Sequence, residues 1–172
     1  MRTVVITAVL SLCACASGQK NILGDSEMAK KFAPISFLVG DWDGTGATAS
    51  SGQQSAGSFT LGPDLGTHVL TRRGFNMNGT QLHEDLTVIY LQGADLRADY
   101  WDNEGHVIRY QVFPQPQAKQ VVFESNPLPD GSQFRLTYHS VDDDTLELKF
   151  DVGHAGSDYQ PYLSGTLKRR KK

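Results

Sequence analysis

The chain has 172 residues, of which 39% are apolar and 20% charged, and its formal net charge is −3 at pH 7. This charge bias is too small for a disordered chain or for a nucleic-acid-binding protein with a broad basic face. No stretch reaches the roughly 18 consecutive apolar residues that a membrane-spanning helix needs. The composition therefore predicts one soluble globular domain with no nucleic-acid partner.

The first residues have the pattern of an export signal. Arg2 precedes an apolar run over residues 3–12, which is typical of a secretory signal peptide. Two processing sites fit. Ala14-Cys15-Ala16 is a small-x-small cleavage site, whereas Leu12-Cys13-Ala14-Cys15 resembles a bacterial lipobox that leaves Cys15 as a lipidated N-terminus. We favour the second, so residues 1–16 predict a periplasmic or cell-envelope lipoprotein whose partner is the membrane.

The cysteines limit the chemistry of the domain. Cys13 and Cys15 are the two cysteines of the chain, and both lie in the signal segment. The mature domain can therefore form no internal disulfide and has no buried thiol for catalysis or metal binding. Residues 17–27 are polar and read as a flexible tether, which places the folded domain at residues 28–172.

The rest of the chain predicts an all-β domain. Ser26 caps a short helix that runs to Phe37, and the apolar period then changes to two. Ten strands are predicted, at residues 42–49, 54–61, 67–77, 80–91, 95–101, 106–113, 119–125, 132–141, 145–152 and 161–170. Short Gly-, Asn- and Asp-rich connections favour antiparallel neighbours. We expect an antiparallel up-and-down β-barrel of about ten strands, with a two-sheet sandwich as the alternative.

The first hairpin that can be paired by arithmetic turns at Asn78-Gly79, a strong two-residue turn signal. This turn places Val69 opposite Val88 and Arg73 opposite Glu84. Because that face of the hairpin is largely apolar, we expect it to point inward with the Arg73–Glu84 pair inside it.

Two further hairpins give consistent registers. The turn at residues 103–105 pairs Tyr100 with Ile108 and Asp99 with Arg109. The turn at residues 142–144 brings further apolar pairs together on one face and opposite charges together on the other. A slip of one residue would destroy both patterns, so these registers are strongly specified.

A short motif resembles a known group of barrels. Gly40, Trp42, Gly44 and Gly46 form Gly-x-Trp-x-Gly-x-Gly after the short helix. This strand resembles the calycin-type barrels, which include lipocalins, fatty-acid-binding proteins, haem-binding nitrobindins and uncharacterised bacterial calycin-like proteins. Residues 100–102 and 161–167 are most similar to the last group. The resemblance implies a barrel with a ligand cavity, and we expect Trp42 to plug the barrel floor.

Four tyrosines are predicted to point into the barrel from four different strands. The candidates are Tyr90, Tyr100, Tyr110 and Tyr138. One interpretation is that they fill the core and direct their hydroxyls to the rim or to a water. The other is that several hydroxyls converge on a cavity and orient a ligand with a polar end.

Arg73 and Glu84 are the other ligand candidates. They form either a structural bridge near an open barrel end or a ligand device, in which Arg73 holds a carboxylate or phosphate and Glu84 orients Arg73. We expect Arg72 to point outward. If the turn were one residue longer, the two arginines would exchange roles.

The histidines give no metal site. None of the five forms an i, i+4 pair or a His-x-His step, so the prediction is no metal and no cofactor. His154, in a Gly-rich loop, is the most available haem ligand. Nitrobindins carry their haem-ligating His near the C-terminal strand, but residues 161–170 contain none.

These observations predict a non-catalytic, exported barrel that binds a small amphipathic or hydrophobic molecule. Three alternatives remain open. The first is an enzyme on the same barrel with Glu84 as general base. The second is a haem-binding, nitrobindin-like protein, and the third is a structural envelope protein with a filled core.

Overall fold

Two short helical segments come before the first strand. The computed structural model describes residues 23, 24, 26–78 and 80–171. Helix α1 spans Glu27–Phe32, and the Ser26 side chain caps it by accepting a hydrogen bond from the Ala29 N–H at 3.0 Å. A 3-10 helix over Ala33–Leu38 follows directly. The helix expected from Ser26 to residue 37 is therefore confirmed as two joined segments.

Ten strands form the rest of the domain. They are β1 Gly40–Thr48, β2 Gln54–Asp64, β3 Val69–Asn78, β4 Gln81–Gln92, β5 Asp95–Asp102, β6 Val107–Gln115, β7 Gln120–Ser125, β8 Ser132–Asp142, β9 Thr145–His154 and β10 Gln160–Arg169. Each strand pairs antiparallel with its sequence neighbours, and β1 also pairs with β10. The sheet is thus a closed up-and-down barrel, which confirms the predicted fold class.

Glycines allow the first and last strands to meet. Gly46 lies opposite Gly165 in the β1–β10 ladder. A Cβ atom on Gly46 would lie 2.7 Å from the Ser164 carbonyl oxygen, and one on Gly165 would lie 2.7 Å from the Thr45 carbonyl oxygen. Real Cβ atoms do not approach so closely, so the closing seam requires glycine at both positions. This explains the end of the Gly-x-Trp-x-Gly-x-Gly motif.

Trp42 closes one end of the barrel. Its side chain is fully buried, and its indole N–H donates to the Leu38 carbonyl oxygen at 2.9 Å. The Arg169 guanidinium lies 4.2 Å from the centre of the indole ring and also donates to the Val39 carbonyl oxygen at 2.8 Å. These contacts join the last strand to the two helical segments before β1, which together form the helical cap. The expectation that Trp42 plugs the barrel floor is confirmed.

The described part of the chain begins inside the domain. Leu23 is buried and belongs to the hydrophobic core, although the sequence places it in the tether at 17–27. The signal segment 1–16, with Cys15, lies outside the described residues. Within those residues no helix is both long and apolar enough to cross a membrane.

Two of the three predicted registers are confirmed. Tyr100 pairs with Ile108 and Asp99 with Arg109 in the β5–β6 hairpin. The β8–β9 hairpin has the predicted pairs from Ser132 to Ser140, including Arg135 opposite Asp151, but a bulge between Ser140 and Asp142 pairs Asp142 with Thr145 and shortens the predicted turn.

The register of the β3–β4 hairpin is corrected. Asn78 pairs with Gln81, so the turn lies one position later than predicted. Arg73 consequently lies opposite Leu86 and not opposite Glu84. The face of this hairpin that was predicted to point inward is also wrong. The apolar residues of this hairpin point outward, where Phe75 and Leu82 are 49% and 44% exposed.

Candidate functional site

The lumen of the barrel contains a cavity of about 720 Å³. It extends from Leu38, beneath the helical cap, to Leu128 and Tyr162 at the opposite end, where the barrel is open. Its volume is in the range of small-molecule sites in proteins. Two unlike walls line it, because the inward residues of successive strands differ in polarity.

One wall is apolar and comes from the last three strands. The Phe134 and Phe150 rings stack with their centroids 5.8 Å apart, and Tyr162 contacts Phe150 edge to face at 5.9 Å. Strand alternation directs one residue in two toward the lumen. The apolar lining of β8, β9 and β10 is Phe134, Leu136, Leu148, Phe150, Val152 and Leu163.

The facing wall carries a buried ion pair. Arg72 of β3 pairs with Asp85 of β4, and their side chains are only 17% and 6% exposed. The Arg72 guanidinium also lies 4.6 Å from the centre of the Phe59 ring. Burial opposes the charge on Arg72, but the adjacent Tyr138 and Asp85 outweigh it and raise the pKa of Arg72. Arg72 therefore stays positively charged inside the barrel.

Two tyrosines lie next to this pair. Tyr138 is 2% exposed, and its hydroxyl has no hydrogen-bond partner among the described residues. Burial raises the pKa of Tyr138, although the positive charge of Arg72 partly opposes this. Burial likewise raises the pKa of Tyr110 far above its ordinary value. Both hydroxyls are therefore neutral at physiological pH.

A chain of hydrogen bonds lines the mouth of the cavity. The His83 Nδ1 lies 3.1 Å from Glu104 Oε1, and its Nε2 lies 2.9 Å from the Tyr100 hydroxyl oxygen. The Tyr100 hydroxyl donates to Asp102 Oδ2 at 3.1 Å, and His106 Nδ1 lies 2.9 Å from the same oxygen. These five residues join the inner faces of β4 and β5 to the turn that follows β5.

Asp102 organises that turn. Its Oδ1 accepts hydrogen bonds from the backbone N–H groups of Glu104 at 3.0 Å and His106 at 2.9 Å. Burial opposes ionisation of Asp102, but the His106 backbone and ring and the Tyr100 hydroxyl outweigh it and lower the pKa of Asp102. Both of its oxygens are occupied, so Asp102 holds the turn in place.

Three of the predicted ligand-binding residues line the cavity. Tyr100, Tyr110 and Tyr138 point into the lumen from β5, β6 and β8. Whether they contact a ligand stays a prediction.

The inward assignment of the other three predicted residues is wrong. Arg73 and Glu84 are exposed on the outer face of the barrel. Tyr90 is half-buried outside the cavity lining, and its hydroxyl donates to Asp99 Oδ1 at 3.4 Å. The physical reason is the alternation of the strand: if Arg72 faces the lumen, its neighbour Arg73 faces solvent. The two arginines do exchange their predicted faces, although the turn between Asn78 and Gln81 still has two residues and is not the longer turn on which the sequence made this exchange depend.

The functional candidates that the sequence missed are Arg72, His83, Asp85, Asp102, Glu104 and His106. The sequence does contain a signal that predicts the inward position of several of these residues. The turn at residues 93–94 pairs Thr87 with Tyr100. Since Tyr100 faces inward, Thr87 and the other odd-numbered residues of β4 face inward as well. Extending the β5–β6 register across this turn would have identified the polar wall.

The remaining histidines lie outside the lumen. His139 pairs with Glu147 on the outer face, and His154 is exposed at the end of β9. Among the described residues no group of three or more His, Cys, Asp or Glu side chains is arranged to hold a metal ion.

Comparisons with known proteins identify a shared fold. No protein-family profile matches the chain, and no curated protein matches its sequence significantly. The crystal structure of Rv2717c from M. tuberculosis matches with a TM-score of 0.59 and 14% identity over 82% of this chain and 98% of that one. The S-type phycobiliprotein lyase CPES from Guillardia theta matches with a TM-score of 0.51 and 8% identity over 80% and 91% of the two chains. The chain therefore shares its closed barrel fold with these two proteins.

Proposed function

We propose that this barrel binds a small amphipathic or hydrophobic molecule in its lumen and does not transform it. The observation that carries the proposal is the cavity of about 720 Å³, which is open at one end and has one apolar and one polar wall. Binding sites for small molecules are mostly apolar with a few placed polar groups, and this lining has that composition. The calycin-like fold is compatible with such a role but does not by itself specify a ligand.

The structure also bears on the three alternative functions, which are an enzyme, a haem-binding protein and a structural protein. Glu84 is exposed on the outer face, so it is not available as a general base in the lumen. The exposed position of His154 does not suit it to ligate a haem held inside the barrel. A cavity of this volume also does not fit a purely structural protein with a filled core.

A cavity-filling variant tests binding in the lumen. Leu148 lines the cavity, and Lys149 is its exposed neighbour on the same strand. We expect Leu148→Trp to weaken binding of 1-naphthylmethanol, a neutral fluorescent amphiphile, at least about tenfold because the indole occupies the space of the ligand. Lys149→Trp, which adds the same ring outside the barrel, is expected to leave binding unchanged. Fluorescence titration of the three proteins measures this. Equal affinities for all three would show that the probe binds elsewhere.

We further propose that the mature barrel is exported and held at the cell envelope by a lipid on Cys15. The support is the sequence of residues 1–16, with a positive charge, an apolar run and a lipobox-like site. Several acyl chains on one residue would give stable anchoring, since each buried CH₂ contributes about 0.8 kcal/mol.

A further inference from the structure

The charges that line the lumen are unbalanced. Among the described lining residues, Arg72 is the one permanent cation, and it faces three carboxylates, those of Asp85, Asp102 and Glu104. With neutral histidines the lining carries two negative charges in excess. Protonation of both His83 and His106 would reduce the excess to zero. No protonation state of these histidines makes the lining positive.

The charge of Arg72 is already balanced by a carboxylate of the protein. Its guanidinium is already bound to Asp85, and both side chains are largely buried. Nη1 of Arg72 makes the contact with Asp85, whereas its buried Nε has no hydrogen-bond partner among the described residues. A carboxylate that approached Arg72 would also come close to the carboxylate of Asp85, and repulsion between the two would offset the attraction to Arg72. The Arg72–Asp85 pair therefore does not favour anions over cations.

Glu104 is the carboxylate that a ligand can reach. Its side chain is 41% exposed at the mouth of the cavity, whereas that of Asp102 is 3% exposed. Glu104 Oε1 contacts His83 at 3.1 Å and Gln81 Nε2 at a long 3.4 Å. Hydrogen bonds that involve a charged donor and a charged acceptor are the strong ones. An ammonium group at the mouth would thus gain more from Glu104 than the Gln81 amide does.

The opposite wall suits the same ligand. The side chains of Phe134, Phe150 and Tyr162 contact one another and line this cavity. Aromatic faces attract cations as well as apolar groups. The cavity thus combines a negative mouth with an aromatic wall.

We propose that the lumen selects organic cations, that is, amines with an apolar body, over carboxylates of the same size. This inference rests on the proposed function and names its ligand class. It differs from the interpretation of the sequence in which Arg73 holds a carboxylate or phosphate, since the arginine that faces the lumen is Arg72, which is paired with Asp85.

Three compounds with one naphthyl body test the selectivity: 1-naphthylmethylammonium, 1-naphthylmethanol and 1-naphthoate. Calorimetric titration of the full-length protein at pH 8 and low salt, where charge interactions are screened least, measures the three affinities. We expect the amine to bind at least about tenfold more tightly than the carboxylate, with the alcohol between them. Equal or tighter binding of the carboxylate would overturn the inference and leave the proposed function intact. If none of the three binds at millimolar concentration, the inference and the proposed function both fail.

A matched pair of variants locates the selectivity. Glu104→Gln removes the reachable charge at the mouth, and Glu84→Gln makes the same change on the outer face. We expect Glu104→Gln to reduce the preference for amine over carboxylate by about tenfold and to leave the alcohol unaffected. Glu84→Gln should change none of the three affinities more than about twofold. Equal effects of the two substitutions would contradict a role for Glu104. If Glu104→Gln fails to fold, the three-compound series on the unmodified protein still decides the inference.

Discussion

Arg72 and Arg73 are neighbours in the sequence, yet β3 places them on opposite faces of the barrel. Arg72 is bound to Asp85 inside, and Arg73 is exposed outside. Their chemistry is identical, so the difference between them comes from the environment alone. The Arg72–Asp85 pair is buried, and in such pairs desolvation cancels much of the attraction between the charges. The main contribution of the pair is therefore to orient neighbouring groups.

Replacing each arginine in turn measures this difference. We expect Arg72→Leu to lower the free energy of unfolding by about 3 kcal/mol because Asp85 is left buried and unpaired. Arg73→Leu should change it by no more than about 0.5 kcal/mol, as is usual for surface positions. Urea denaturation of both variants checks the prediction.

The double variant separates the lost attraction from the stranded charge. Arg72→Leu/Asp85→Leu removes both charges and should be more stable than Arg72→Leu alone. A larger loss for Arg73→Leu than for Arg72→Leu would contradict the assigned faces.

At the level of the elements, the sequence predicts a hairpin well when both faces give the same register. In the β8–β9 hairpin, apolar partners share one face, and Arg135 lies opposite Asp151 on the other. For the β3–β4 hairpin the sequence predicts the wrong face to point inward, because the more apolar residues, among them Phe75 and Leu82, are exposed. Hydrophobicity alone cannot predict a face when the barrel interior is polar at that place.

The polar wall escaped prediction for the same reason. The apolar neighbours of a charged residue decide the face that the sequence predicts for it, so Arg73 is predicted inside and Arg72 outside. Tyr100, Tyr110 and Tyr138 were assigned inward correctly because they share strand faces with aliphatic residues. In the β3–β4 ladder Arg72 pairs with Thr87 and Asp85 with Gly74, so no apolar pattern marks this part of their face.

The closing seam gives a prediction at the same scale. We expect Gly165→Ala to destabilise the barrel by about 1–3 kcal/mol because strands β1 and β10 must separate to accept the new methyl group. The matched control is Gly62→Ala, because a Cβ at Gly62 has nothing within 4 Å. Thermal unfolding of the two variants provides the measurement. Equal stability would mean that the seam tolerates a side chain.

As a whole molecule, the barrel encloses one cavity that has an apolar wall on one side and a polar wall on the other. The helical cap with Trp42 closes one end, so a ligand of the proposed kind would enter and leave at the other, near Glu104 and Leu128. The fold could be predicted from the sequence because ten strands with short connections have few ways to bury one face. The charge of the lumen could not be predicted from the sequence, because it depends on which of two adjacent residues in a strand points into the lumen.

The proposed attachment to the envelope also concerns the whole molecule. We expect the full-length chain, produced in a bacterium with lipoprotein processing, to enter the detergent-rich phase in a partitioning experiment. Cys15→Ala removes the acylated thiol and should move the protein to the aqueous phase. Cys13→Ala is the control that keeps Cys15. An unmodified chain that is found wholly in the aqueous phase would favour cleavage after Ala16 instead.

A crystal structure of the protein with 1-naphthylmethanol decides whether the ligand-binding site is the lumen. We predict electron density for the naphthyl rings against Phe134 and Phe150, with the hydroxyl group directed toward the polar residues near the mouth, including Glu104. Density for the compound only on the outer surface of the barrel, or a lumen that stays empty at a saturating concentration, would contradict the account.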